Sequence, residues 1–165
     1  MDFFNQSVLN AIGQKLIIDD QTVSVAEEVT AGLLQLAFAQ IDNSLLFYKG
    51  GLTVVNLDDA ADFLDLKDRA TRTCSELIDE MVHTAAIKAS AFLSSDWSIA
   101  VAGFGSPKRG SGYKVFANYV FSFKGEIVLS NHFEIEDPVQ PFEAQLTFAR
   151  HILEHFNSII NSTEV

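Results

Sequence analysis

Cysteine is almost absent from this sequence: Cys74 is the single one in 165 residues. That excludes an intramolecular disulfide and a cysteine-built zinc site, and it points to a reducing compartment. Basic residues are scarce as well, with 11 Lys and Arg against 22 Asp and Glu and a net charge of −11. A surface for phosphate backbones needs clustered cations, so no nucleic-acid partner is expected. No apolar run approaches the roughly 18 residues of a membrane span. The start, Met1-Asp2-Phe3-Phe4-Asn5-Gln6, carries an acid where a signal peptide needs a positive segment. A cytoplasmic protein with no membrane partner is the expectation. What remains is 48% hydrophobic and 20% charged, a composition that folds as one domain over 1–165.

Periodicity supplies the elements. Val8, Ile12 and Leu16 recur at four-residue spacing and predict an amphipathic helix to about Ile17, with a turn at Asp19-Asp20-Gln21. Residues from Thr22 alternate as a strand, and a helix follows with Glu27 and Glu28 in its first turn, ending near Gln40. Leu45 to Asn56 is aromatic and β-branched, which places a strand after Gly50-Gly51; the pair itself marks a bulge or a close backbone approach. Asp58, Asp59, Asp62, Asp65 and Asp68 lack the glycine-centred spacing of a calcium loop and read as a solvated helix face or helix start. A long helix is predicted from about Ala70 to Leu93, its stripe including Cys74, Leu77, Ile78, Met81, Val82, Ala85, Ala89, Phe92 and Leu93, with His83 off the stripe. Trp97 to Gly103 reads as a buried strand, Tyr113 to Phe123 and Ile127 to Ile135 as an antiparallel pair about Lys124-Gly125, and Phe142 to Ile160 as the last helix. Early alternation of helix and strand followed by a meander predicts an α/β fold, a mixed β-sheet flanked by helices in three layers.

Three stretches bear on chemistry. The strand-to-helix junction at Glu27-Glu28 is where an α/β protein keeps its site, because unpaired N–H groups gather at a helix N-terminus. The segment Gly103-Phe104-Gly105-Ser106-Pro107-Lys108-Arg109-Gly110-Ser111-Gly112 has the glycines and cations to wrap an anion, yet a strand rather than a helix follows it; an anion loop and a hairpin-like connection stand level. His151-Ile152-Leu153-Glu154-His155 matches the inverted zinc-protease spacing, but no third ligand is in view and no metal is assigned.

Ala26-Glu27-x-x-Thr30-x-Gly32, Gly50-Gly51 after Phe47-Tyr48, and Val101-Ala102-Gly103-Phe104-Gly105-Ser106-Pro107 together resemble the CinA C-terminal domain family. Its enzymatic members are nicotinamide-nucleotide amidohydrolases, which release the amide of nicotinamide mononucleotide as ammonia. The resemblance runs from about Asp20 to the last helix. It implies a three-layer α/β/α domain, a nucleotide-like small-molecule ligand, no cofactor and a homo-oligomer. The family's first motif, Ala-Glu-Ser-Cys-Thr-Gly-Gly, holds the nucleophilic serine; here Glu28 stands at that position, Val29 at the cysteine and Ala31 at the first glycine. The family's tyrosine and lysine helpers correspond to Val55 and, in a looser register, Ala60. The Thr-Gly-Ile-Ala-Gly-Pro loop survives as Ala102 to Pro107 without its threonine, and Gly-Asp-Arg has become Ile135-Glu136-Asp137.

The resemblance thus implies a member that has lost its catalytic groups and serves as a binding, regulatory or assembly module. Its ligand candidates are Glu28, Thr30, Gly32, Asn56, Gly103, Gly105, Ser106, Lys108 and Arg109. A carboxylate cannot replace the serine in the same mechanism, although Glu28 as a general base for water gives a second reading, a divergent amide hydrolase or nucleotide-binding enzyme using this loop. A purely structural homo-oligomer is the third, and for Glu28 itself the plain alternative is a favourable first-turn acid.

Overall fold

The computed structural model describes residues 3–54, 59, 64, 73–137 and 140–162. Helix α1 (Gln6–Ile18) is opened by Asn5, whose side chain accepts from the Ser7 backbone N–H at 3.0 Å. Strand β1 (Val23–Glu27), helix α2 (Leu33–Ala39) and strand β2 (Tyr48–Thr53) follow, then helix α3 (Cys74–Leu93) and strand β3 (Trp97–Phe104). Strands β4 (Val115–Phe123) and β5 (Glu126–Ile135) form a hairpin, and helix α4 (Pro141–Ser162) ends the described chain. Among the described residues no helix is long and apolar enough to cross a membrane.

The sheet runs β2-β1-β3-β4-β5, with β1 parallel to both neighbours and β4 and β5 antiparallel. Alternation along each strand fills two cores. Val25, Ile99, Val101, Tyr119 and Phe121 pack with α1, α2 and α4, whereas Ala26, Ala100, Ala102 and Val120 pack with α3. The alanines on the α3 face leave room for that helix to lie close to the strands. The expected mixed sheet between helical layers is therefore present, and the β4–β5 turn takes positive φ at Lys124 and Gly125 (50° and 80°), the twist-matching geometry of a two-residue hairpin.

Several boundaries depart from expectation. Neither Glu27 nor Glu28 lies in the first turn of α2, which has no acid there: Glu27 ends β1, and five residues separate it from the helix. The cause is a tight turn in which Ala31 and Gly32 both take positive φ (51° and 96°), a conformation that an alanine gives no sign of. Gly50-Gly51 lies inside β2 rather than before it. It meets both expectations for the pair: the register with β1 shifts there, and a Cβ on Gly51 would sit 2.7 Å from the Val25 carbonyl. Helix α3 starts at Cys74, after Thr73 caps it reciprocally with Glu76. Phe92 is 73% exposed and not part of the stripe. Strand β4 begins only at Val115, after a short 3-10 turn over Arg109–Ser111. The burial expected of the Cys74 side chain, and the acidic patch apart from an exposed Asp59, lie outside the described residues.

Candidate functional site

The carboxyl ends of β1 and β3 lie side by side where the chain leaves β1 for a helix on one face and reaches β3 through a helix on the other. Open α/β sheets bind ligands at such a crossing. Two adjacent glutamates meet there with opposite surroundings.

Glu27 is 3% exposed and fully engaged. Its Oε2 accepts from Thr30 Oγ1 (2.6 Å), Gly32 N (3.2 Å) and Leu34 N (3.0 Å), and its Oε1 accepts from Gln35 N (2.8 Å). It is thus the anion at the N-terminus of α2, taking up N–H groups that the helix cannot satisfy itself. Tyr48 stacks on Phe38 near it, and burial first, then the charge of Glu27, pushes its phenol up to about 12.

Glu28 turns to the α3 side. Its backbone N–H continues the ladder to the Val101 carbonyl (2.9 Å), and its Oε2 accepts from Gly103 N (3.1 Å). The carboxyl is pushed up to about 7: burial raises it, and the Gly103 N–H and the charge of Lys108 offset only part of that. It lines a cavity of about 40 Å³ walled by Ala26, Leu52, Val54, Met81, Val82 and Val101, with Lys88 beside it. Such a space admits water. Among the described residues, the lining carries no hydroxyl, thiol, phenol or imidazole. Glu28 as a plain first-turn acid is therefore corrected. It is a partly buried carboxyl with one donor partner in an apolar wall, the kind of perturbed group that marks functional sites.

The other expected residues divide. Thr30 is fully buried and spends its hydroxyl on Glu27, and Gly32 gives its N–H to the same carboxylate, so these two build the turn and do not face the cavity. Gly103 is required by packing, because a Cβ there would come within 2.0 Å of the Phe116 carbonyl oxygen. A Cβ on Gly105 would meet Gln145 and Pro141 of α4 only at ordinary contact distance, so packing does not require glycine there. Ser106 is half-buried, Lys108 and Arg109 are exposed, and none of the three lines the cavity. Val55, Asn56 and Ala60 lie outside the described residues.

As an anion loop, 103–112 has several of its N–H groups already engaged. Gly103 N–H serves Glu28, Lys108 N–H points at Ser111 Oγ, and the N–H groups of Ser111, Gly112 and Tyr113 return to the carbonyls of Lys108 and Arg109. His151 and His155 turn their facing nitrogens to the hydroxyl of Tyr119, and no group of three or more His, Cys, Asp or Glu able to hold a metal occurs among the described residues. The four-residue spacing of the two histidines was legible in the sequence; the tyrosine between them, 32 residues earlier, was not.

Comparison with known proteins agrees with this architecture. The model of the CinA C-terminal domain matches residues 5–137. A CinA-like protein of Prochlorococcus marinus strain AS9601 is 28% identical over 106 residues, covering 64% of this chain and 25% of that protein. One from Nostoc sp. strain PCC 7120 is 26% identical over 117 residues, 69% of this chain and 28% of that protein. The matched region thus spans about a quarter of those curated relatives. In structure, the chain resembles a CinA superfamily protein of Enterobacter cloacae (TM-score 0.80, 16% identity, covering 94% of this chain and 91% of that one). It likewise resembles the competence/damage inducible protein CihA of Agrobacterium tumefaciens (TM-score 0.80, 20% identity, 98% and 99%).

Proposed function

This chain belongs to the CinA C-terminal domain family, and from that premise we propose that it is a ligand-binding, regulatory member without the serine-type amidohydrolase reaction. The observation that carries the reading is Glu28: a carboxyl pushed up to about 7, holding one N–H donor, in a wall that among the described residues carries no hydroxyl, thiol, phenol or imidazole. The serine-type reaction needs an activated hydroxyl, or a thiol in its place, and free donors for the oxyanion. The lining described offers no hydroxyl or thiol, and the Gly103 N–H is committed to Glu28 itself.

A carboxyl of this kind suits recognition. Ionised, it accepts from an amide or amine N–H; protonated, it donates to a carbonyl. A nucleotide-like ligand fits with its amide-bearing end toward Glu28. Its phosphate would have to stay outward near Lys108 and Arg109, because two adjacent carboxylates repel an anion brought to the strand ends. A second reading is favoured by the same value of about 7, which suits a general base that activates water at neutral pH.

Incubation with nicotinamide mononucleotide separates the two. The binding reading expects no ammonia release, and a ligand-induced rise in melting temperature that Glu28→Gln weakens at least tenfold in apparent affinity. Ammonia release abolished by Glu28→Gln overturns it in favour of water activation by Glu28.

A further inference from the structure

On the other face of the sheet, toward α4, Tyr119 directs its hydroxyl at three partners. Asn131 Nδ2 lies 3.1 Å away, His151 Nε2 3.0 Å and His155 Nδ1 2.7 Å. The other end of the Asn131 amide fixes its orientation, since Oδ1 accepts from the His132 backbone N–H at 2.8 Å. Asn131 therefore donates to Tyr119. A phenol offers one O–H and two lone pairs. With one lone pair taken by Asn131, a single lone pair and a single O–H remain for two imidazoles. One ring must donate its N–H and the other must accept, so the two facing nitrogens hold one proton between them.

The parts have little freedom to rearrange. Tyr119 is 0% exposed. His151 lies flat on Phe133, centroids 4.0 Å apart at 6°, and His155 meets Phe121 edge-on at 5.7 Å. Both imidazoles are half-buried. We propose that Tyr119, His151 and His155 form a proton-operated latch tying α4 to the β4–β5 hairpin, one that accepts a first added proton and is broken by a second. The first proton goes to the outer nitrogen of the donating ring and leaves every hydrogen bond in place. The second must enter the facing nitrogen of the accepting ring. It then strands the Tyr119 O–H without an acceptor, aims a third N–H at a filled oxygen and sets two cations beside each other, their rings 6.2 Å apart.

The charges that bear on the pair are few. Glu154, on the same helix, favours a proton on His151, while burial and then His155 hold that ring below the ordinary histidine range. Strand β4 faces the pair with Tyr119 and Phe121 and β5 with Asn131 and Phe133, all uncharged. Asn5, with Val8 and Leu9 of helix α1, lines a pocket shared with Arg150, Leu153 and Glu154, helix α2 brings Phe38 against Phe156, and the Nε of Arg150 donates to the Phe3 carbonyl.

The test is a nitrogen-15 titration of the wild-type histidine rings from pH 8 to pH 4.5, with amide exchange followed in parallel and corrected for its intrinsic pH dependence. Above pH 7 one facing nitrogen should be protonated and the other bare, and the two ring titrations should lie at least tenfold apart in proton concentration. Through the second titration, exchange in β5 near Asn131 should rise at least tenfold while that of β1 and β3 stays level. Tyr119→Phe should bring the two titrations together and remove the step. If that variant fails to fold, the wild-type spectra decide alone. Both facing nitrogens protonated above pH 7, or rings that titrate together with no change in β5 exchange, would overturn the proposal.

Discussion

At the scale of single residues, Glu27 and Glu28 show how little identity alone fixes chemistry. They are neighbours in sequence and point to opposite faces of β1, so one carboxylate receives four donors and the other receives one. The consequence for Glu28 is measurable. A carboxyl at about 7 in the fold against 4.5 for an ordinary glutamate takes up a proton on folding between those values. The stability it contributes is full below about pH 4.5 and lost as pH rises through about 7, up to roughly 3 kcal/mol. Glutamine keeps the acceptor for Gly103 N–H and carries no charge. Glu28→Gln should therefore be more stable than wild type by up to that amount at pH 8.5 and by little at pH 5, read from denaturant midpoints at both pH values. A difference that stays constant with pH would mean that burial does not govern this carboxyl. The sequence made Glu28 visible through its place at the junction. It did not reveal the burial, because the positive φ of Ala31 delays the helix and turns an expected first-turn acid into a residue of the strand end.

At the scale of elements, α2 is the clearest case of a piece that tertiary contacts must hold. Seven residues are too few for a helix to stand alone in water. What fixes its start is the Glu27 carboxylate and the left-handed Gly32, which has no side-chain cap of its own. Both oxygens of Glu27 accept, so Glu27→Gln cannot reproduce the arrangement: one end of the amide must point N–H groups at N–H donors. The cost should be about 1–3 kcal/mol, with the exchange of the Leu34 and Gln35 amides rising first. A loss below about 0.5 kcal/mol would show that the turn re-forms without the cap. Helices α1 and α4 were legible because their apolar stripes repeat over three turns or more, and the hairpin because Lys124-Gly125 states its turn type. The start of β2 and the start of α3 were harder. Gly50-Gly51 reads as punctuation until the close approach to Val25 shows why a strand needs it, and the capping box of Thr73 and Glu76 sits inside a run that already looks helical.

At the scale of the whole molecule, the layer order follows from alternation along the strands, but the strand order does not, since nothing local tells β1 to lie between β2 and β3. That order brings Glu28 beside Gly103, 75 residues away, which is why the pairing at the heart of the site was not readable from either motif alone. It also gathers the aromatic core about Phe156. This fully buried ring of α4 meets Phe38 of α2, Trp97 of β3 and Phe121 of β4 at 6.2, 5.5 and 5.3 Å. One side chain thus joins the last helix to the first helical layer and to two central strands. Removing it leaves a cavity whose walls belong to four elements that cannot all close in, so Phe156→Ala should cost about 3–5 kcal/mol. That is a large share of the 5–15 kcal/mol that holds a typical domain together. Trp97, the one tryptophan of the chain and 2% exposed, packs on Phe156 and Phe123 and reports the transition directly. Its fluorescence and the far-ultraviolet dichroism should move together to a lower denaturant midpoint with unchanged slope, as one cooperative unit. A tryptophan transition that separates from the dichroism would instead show α4 coming away from a sheet that stays folded.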